Sequence, residues 1–177
     1  MYIKHDLVLE TDRLFLRKMR SADLKALLRI FTDPRVMASF GGELFDRDQM
    51  QRWLDSNLEH QEQHGYGLFA VIYKANGELI GDCGLEHMDV EGVRETELGY
   101  DFRSDYWNRG LATEAATAVR TFAFETLNLP RLISLIRTGN QASRRVSEKI
   151  GMTLQEEIER YGRPYWVYGI ERSNSQG

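Results

Sequence analysis

The sequence predicts a single α/β domain, and three kinds of local pattern carry that prediction. Apolar residues at helical spacing indicate helices, as in residues 21–31. Unbroken or alternating apolar runs indicate strands, and residues 68–73 are typical of a buried one. Asn76-Gly77 and Glu91-Gly92 indicate turns that join neighbouring antiparallel strands.

The first half of the chain is predicted to alternate between strands and helices. Residues 13–18 favour a strand, and the helix that starts at Ser21 follows it. Asp46 and Gln49 form a capping-box pair for a second helix, and Gly65 ends that helix. Three antiparallel strands then follow, over residues 68–73, 79–86 and 95–102.

The second half is predicted to contain two more helices and three more strands. A helix begins after Gly110 and runs to about residue 127, and Pro130 restarts the chain before a strand. Asn140 is a good N-cap for a further helix, which Gly151 ends. The three strands cover residues 131–137, 153–160 and 164–171.

Composition limits the class of protein. With 177 residues and 42% hydrophobic residues, the chain is long enough for one core, and we expect a domain over residues 1–172 and a disordered tail over 173–177. A net charge of −4 argues against a nucleic-acid binder. No apolar stretch is long enough to span a bilayer, and the N-terminus lacks the apolar run of a signal peptide.

The lone Cys83 cannot form an internal disulfide, which favours a reducing compartment, so we expect a cytoplasmic protein. Without a histidine partner in the sequence pattern, Cys83 is interpreted as a buried packing residue.

The loop before the third helix is the most informative segment. Asn108, Arg109 and Gly110 run directly into a helix that begins with small residues. A helix N-terminus presents unpaired N–H groups and partial positive charge, which suits a phosphate. The plain alternative is a glycine-containing turn before an amphipathic helix.

Several motifs together resemble one enzyme family. They are Glu97-Leu98-Gly99-Tyr100, then Trp107 to Ala115 (WNRGLATEA), then Asn140, Ser143, Glu148, Lys149 and Gly151, with LETDRLFLR at residues 9–17. This set resembles the GNAT acetyltransferases, and most closely the ribosomal-protein N-terminal (RimJ/RimL-like) branch. The resemblance implies a mixed, mostly antiparallel sheet of six to seven strands with helices on both faces. It also implies acetyl-CoA as co-substrate, no metal, and a plausible homodimer.

By resemblance, the acetyl-CoA site is expected to comprise Tyr100, Asp101, Phe102, Trp107, Asn108, Arg109, Gly110, Leu111, Ala112, Thr113, Asn140 and Ser143. Trp107 departs from the broad family pattern, which has Gln or Arg there, so packing is all that is expected of its side chain. Arg144 and Arg145 either reach the CoA phosphates or form an exposed helix face.

Two residues are the catalytic candidates. An amine attacks a thioester when it is neutral, so a base is needed, and the resemblance places Glu97 in that role. Glu95 is the alternate if the strand pleat is shifted, and a solvated Glu97 is the plain alternative. The tyrosine acid of many GNAT enzymes is replaced here by Ser147, and the resemblance to the Rim-like branch implies that Ser143 orients the thiol; alternatively, Ser143 completes a helix turn.

The acceptor is predicted to be a protein N-terminal or similar α-amine. A small amine (polyamine, amino acid or aminoglycoside), a non-catalytic acyl-CoA sensor and an unrelated phosphate-binding module stay open. In the family, the acceptor is flanked by a loop and a hairpin that here contain Phe40, Gly41, Gly42, Tyr161, Tyr165, Trp166 and Tyr168. Those aromatic residues could equally be core or dimer surface.

Histidines give no metal prediction. His60 and His64 are four residues apart, but the sequence between them lacks a zinc-protease pattern, so they are interpreted as a surface pair. His87 either lines the acceptor cleft or ends a strand without a further role.

Overall fold

An eight-stranded sheet, in the order β1-β2-β3-β4-β5-β6-β8-β7, organises the computed structural model, which describes residues 6–173. The strands are β1 Leu7–Glu10, β2 Leu14–Arg17, β3 Leu68–Tyr73, β4 Leu79–Val90, β5 Val93–Phe102, β6 Arg131–Arg137, β7 Thr153–Arg160 and β8 Arg163–Glu171. The α-helices are α1 Leu24–Phe31, α2 Pro34–Met37, α3 Arg47–His64, α4 Leu111–Thr121 and α5 Gln141–Lys149. Short 3-10 turns cover Ser21–Asp23, Ala38–Phe40 and Ser104–Tyr106, and a π-helical turn, Phe122–Thr126, extends α4.

The predicted strand number is wrong by one, because the sheet has eight strands rather than six to seven. The missed strand, β1, is a four-residue edge strand that pairs with β2 alone. Such a short segment carries little periodic signal. Helix α2 was also not predicted: the Asp33 side chain accepts a hydrogen bond from the Arg35 N–H, and Pro34 suits its first position.

The predicted helix caps are confirmed. The Gln49 N–H donates to Asp46 Oδ1 at 2.7 Å, and the Asp46 N–H donates to Gln49 Oε1 at 2.8 Å. Gly65 ends α3 with a left-handed φ of 77°. Asn140 caps α5, since its Oδ1 accepts from the Ser143 N–H at 3.2 Å. Of the predicted tail, Ser173 is exposed and residues 174–177 lie outside the described residues, as do residues 1–5.

Helices cover both faces of the sheet, as predicted. Strand β3 shows this by alternation: Phe69 and Val71 join the buried cluster that contains α4 and part of α5. Leu68, Ala70 and Ile72 join the cluster that contains α1 and α3. Each large apolar side chain buried in these clusters contributes about 1.5–3 kcal/mol to folding.

The sheet divides between β5 and β6. These neighbours are parallel, unlike the antiparallel pairs elsewhere in the sheet, and Glu97 with Ile133 is the residue pair that joins them. Past that point the strands separate. The gap faces the loop before α4 and the start of α5, and it therefore positions the functional site.

Candidate active site

A cavity of about 520 Å³ lies at the gap between β5 and β6. Its walls come from the end of β5, the loop before α4, the first turn of α4 and the first turns of α5. All twelve residues predicted for the acetyl-CoA site line it: Tyr100, Asp101, Phe102, Trp107, Asn108, Arg109, Gly110, Leu111, Ala112, Thr113, Asn140 and Ser143. The loop is therefore open to a ligand rather than packed against a neighbouring element.

The backbone of the loop is shaped for an anion. Asn108 and Gly110 have left-handed φ angles of 60° and 75°, and α4 starts at Leu111. Within residues 6–173, no side chain caps this helix start. Its first N–H groups, which have no partner inside the helix, are thus available to a phosphate.

Side chains of the loop hold it in place. The Trp107 Nε1–H donates to the Phe102 carbonyl at 2.9 Å. The Arg109 guanidinium lies 4.9 Å from the centroid of the Tyr106 ring and donates to the Asp105 carbonyl at 3.1 Å. Trp107 thus links the loop to β5, beyond the packing role expected of it.

Two residues that sequence reasoning did not single out anchor the start of α4. Arg13 and Glu114 form an ion pair of 2.7 Å. Glu114 also accepts from the Thr11 hydroxyl at 2.6 Å, and Arg13 donates to the Arg109 carbonyl at 2.9 Å. Both residues lie in the sequence segments that carry the family resemblance, and that position was the one indication in the sequence that they belong to the site.

The start of α5 forms the opposite wall. The Tyr100 hydroxyl donates to the Ser143 carbonyl at 2.9 Å and ties β5 to α5. Asn140 Nδ2 donates to the Ser39 hydroxyl at 3.1 Å. Arg145 lines the cavity, whereas Arg144 pairs with Glu148 at 2.8 Å and lies over the Trp166 ring.

Positive charge surrounds this cavity and suits a phosphate-bearing ligand. Five cationic side chains line it: Arg35, Arg109, Arg137, Arg145 and Lys149. Together with the start of α4, they provide the positive charge and the N–H donors that a diphosphate group requires.

A second cavity, of about 260 Å³, adjoins the first. Six residues line both cavities and mark where they meet: Ser39, Tyr100, Asp101, Arg137, Asn140 and Ser143. Ser143 therefore lies at the boundary between the two. Phe40, Trp53 and Tyr165 give the second cavity aromatic walls.

Glu97 lies on the wall of the second cavity, at the point where β5 and β6 separate. Its Oε1 accepts a hydrogen bond from the Leu135 N–H at 3.0 Å. Burial, with a smaller contribution from the Glu86 carboxylate, raises the pKa of Glu97 to about 8, although the Leu135 N–H opposes the shift. The residue as a whole is half-buried and lines the second cavity. A carboxylate with this pKa can accept a proton near neutral pH.

Three more carboxylates, Asp82, Glu86 and Asp101, line the same cavity. Sequence reasoning named Asp101 as a residue of the acetyl-CoA site but missed Asp82 and Glu86. Asp82 pairs with Asp101 across β4 and β5, and Glu86 pairs with Glu97. Burial raises the pKa of Asp82, Glu86 and Asp101. Among the described residues, neither Asp82 carboxylate oxygen has a hydrogen-bond partner.

The position of these carboxylates beside one another could have been predicted from the Glu91-Gly92 turn. Because it places Val90 opposite Val93, counting back along both strands brings Glu86 opposite Glu97 and Asp82 opposite Asp101. Gly84 and Gly99 form the pair between them and leave space on that face.

Several candidates for the acceptor site lie elsewhere. Phe40 and Tyr165 line the second cavity, but Gly41, Gly42, Tyr161, Trp166, Tyr168 and His87 line neither cavity. Glu95, the alternate base, is paired with Arg131 at 3.2 Å and lines neither cavity. Cys83 is fully buried, as expected of a packing residue.

Comparison with known proteins agrees with this geometry. A model of the acetyltransferase (GNAT) domain family matches residues 13–153. A Bacillus subtilis protein, YkkB, is 36% identical over 161 residues, which cover 90% of this chain and 93% of that protein. An uncharacterized N-acetyltransferase of Bacillus licheniformis, p20, is 34% identical over 140 residues, or 76% of each chain.

Among solved structures, an acetyltransferase from Agrobacterium tumefaciens is 34% identical and superimposes with a TM-score of 0.80, over 92% of this chain and 93% of that one. Within residues 6–173, none of the helices combines the length and the apolar character needed to cross a bilayer. The family match over most of the chain, the shared fold and the cavity at the divided sheet lead to one conclusion: the chain belongs to the GNAT acetyltransferase family and is an N-acetyltransferase, an acyltransferase by class.

Proposed function

We propose that this N-acetyltransferase acts on the α-amine of a polypeptide or a similar α-amine, by direct attack on the thioester in a ternary complex. The observation that carries the proposal is Glu97, which faces the second cavity with a pKa of about 8. An α-ammonium group has a pKa of about 8, whereas an alkyl ammonium has a pKa of about 10. Proton transfer to Glu97 is therefore nearly balanced for an α-amine and uphill for an alkyl amine.

The remaining roles follow from position. The start of α4 and the loop around Gly110 would bind the diphosphate of acetyl-CoA, which supplies the acetyl thioester. Main-chain N–H groups of Tyr100–Phe102, at the end of β5, would stabilise the charge that develops on the carbonyl oxygen. Ser143, at the boundary of the two cavities, would donate a hydrogen bond to the departing sulfur. Because Cys83 is buried, an acyl-enzyme on that thiol is not part of the proposal.

A second acceptor class is favoured by a separate observation. Four carboxyl groups, those of Asp82, Glu86, Glu97 and Asp101, line the second cavity, and a small amine with more than one positive charge would pair with them and favour their ionised forms. A polyamine would satisfy the Asp82 oxygens, which lack hydrogen-bond partners among the described residues.

A substrate panel separates the two classes. Purified protein and acetyl-CoA are incubated with short peptides that have a free or a formylated N-terminus, and with linear polyamines, while the released thiol is measured. The proposal expects turnover of free-N-terminus peptides, abolished by formylation and by Glu97→Gln. Turnover of polyamines alone would replace the acceptor, and binding of CoA without turnover of any amine would contradict transfer.

We further expect the protein to act in the cytoplasm, from its lone cysteine, and to form a homodimer, from the family resemblance. Light scattering of the purified chain measures the second expectation directly: a mass of 20.6 kDa, that of one chain, would contradict it.

A further inference from the structure

Three histidines form a cluster away from both cavities, where the end of α3 meets β4. His60 and His64 are one turn apart on α3, and His87 lies on the part of β4 that extends beyond its pairing with β3. Each offers one ring nitrogen, and the three nitrogens lie within 4.8 Å of one another. His60 and His64 lie side by side with ring centroids 4.5 Å apart, and the fold adds His87 as a third imidazole; all three are half-buried.

We propose that His60, His64 and His87 bind one divalent transition-metal ion, with Zn²⁺ as the probe. Imidazole suits zinc, nickel and copper, and three histidines with one open position are an established zinc arrangement. Around a tetrahedral zinc with Zn–N bonds of about 2.0–2.1 Å, the nitrogens would be about 3.3 Å apart. Metal binding would therefore draw the three rings together from their present spacing of up to 4.8 Å.

The surroundings of His60 resemble those of a metal ligand. Its Nδ1 lies 2.8 Å from the Tyr66 carbonyl, so it carries the proton and donates there. A carbonyl that fixes the tautomer in this way is the usual second partner of a ligating histidine. The Nε2 lone pair accepts a hydrogen bond of 3.2 Å from the His87 N–H, and the metal would take that lone pair.

The Tyr66 side chain completes the surroundings. Its hydroxyl lies 3.0 Å from His87 Nε2 and would turn away from that nitrogen if the metal bound there. A water molecule would then fill the fourth position.

Charges near the cluster act in both directions. Burial, and then Arg94 and the other histidines, lowers the pKa of His87, and burial lowers the pKa of His60. The Arg94 guanidinium opposes a cation, whereas the carbonyl end of α3 beside His64 favours one.

Titration of the untagged, full-length protein with Zn²⁺ by calorimetry, and with Co²⁺ by visible absorption, tests the proposal. The chain has four histidines, and the fourth, His5, lies outside the described residues, so His5→Ala is the matched control. Wild type and His5→Ala should bind one equivalent with the absorption bands of a tetrahedral Co²⁺ site. His64→Ala and His87→Ala should each weaken binding at least tenfold.

His64→Ala is the decisive variant, because it leaves the bonds of His60 to Tyr66 and His87 in place. Zn²⁺ should raise the melting temperature of wild type and His5→Ala but not of His64→Ala. Binding that is absent in wild type, or equal in wild type and His64→Ala, would overturn the proposal. So would binding that Glu97→Gln abolishes and His64→Ala preserves, since the ion would then lie in the acceptor cavity.

Discussion

The Glu97 carboxylate accepts a 3.0 Å hydrogen bond from the main-chain N–H of Leu135, across the point where β5 and β6 separate. This bond directs the carboxylate to the junction between the strands and holds it on the wall of the second cavity. Enclosure there raises the pKa of Glu97 to about 8, which gives the proposed mechanism a measurable pH dependence.

Glu97→Gln should lower kcat/KM by about 100- to 10,000-fold at pH 8, the range expected for a lost general base. A base acts in its deprotonated form, so wild-type activity should rise with pH through a pKa of about 8, and the variant should lack that rise. The assay should use an acceptor amine whose pKa lies below that of Glu97, so that titration of the amine does not appear in the pH profile of activity. Glu95→Gln, two residues away on the same strand, is the control and should retain activity, because Glu95 pairs with Arg131 outside the cavity. Equal losses in both variants would contradict the assignment.

Gly110→Ala should raise KM for acetyl-CoA by about tenfold. Alanine in the left-handed region costs about 1–2 kcal/mol, and the loop would relax away from the φ of 75° that aims its N–H groups. Gly77→Ala is the matched control, since Gly77 has a φ of 71° and open space around it in the β3–β4 turn. Steady-state kinetics and melting temperatures of both variants test this. If both variants lose stability to a similar extent and Gly110→Ala leaves KM unchanged, the loop does not bind acetyl-CoA.

Ser143→Ala should lower kcat by about 5- to 10-fold with little change in KM for acetyl-CoA, the effect of one lost hydrogen bond to the departing sulfur. The substitution keeps the main-chain groups that bond to Asn140 and Tyr100, so the start of α5 should stay folded. Kinetics and circular dichroism measured together separate the two roles. If Ser143 serves α5 alone, stability will fall while kcat stays constant.

The contribution of Asp82 and Asp101 to the free energy of unfolding should decrease as pH rises from about 4 to about 7. Burial raises the pKa of Asp82 and Asp101 above the ordinary value of 3.8, so the folded state holds protons that the unfolded state releases in that window. Each such proton contributes a slope of about 1.4 kcal/mol per pH unit. Asp82→Asn should flatten the decrease, and the exposed Asp12→Asn should not. Urea unfolding at several pH values provides the measurement, and parallel curves for wild type and Asp82→Asn would refute the effect.

Local patterns were enough to predict most elements of the fold. Caps such as the Asp46–Gln49 pair act through neighbouring residues, and the strand at residues 68–73 is apolar throughout, so each can be recognised from a few positions. Strand β1 could not be recognised in that way, because its four residues depend on pairing with β2. Tertiary contact, rather than propensity, makes it a strand.

For the site, the donor side could be predicted more fully than the acceptor side. The residues around Gly110 are contiguous in sequence, and the structure places them on one cavity. The acceptor side is assembled from β4, β5, β6 and the Ser39–Phe40 turn, which lie far apart in the chain. The register of β4 against β5 places Asp82 and Glu86 near Glu97. His87 lies next to His60 because the end of α3 contacts β4.

Where β5 and β6 separate, two side chains also replace main-chain hydrogen bonds that the strands no longer make with each other. Glu97 satisfies the Leu135 N–H, and the Ser134 hydroxyl donates to the Leu98 carbonyl at 2.7 Å. With an apolar residue at position 97, the part-buried Leu135 N–H would lose this bond, at a cost of about 0.5–1.5 kcal/mol. Selection for folding alone would thus retain an oxygen acceptor at position 97 even after catalysis was lost. Glutamate or glutamine at this position in a relative is therefore not evidence that the relative is an active enzyme.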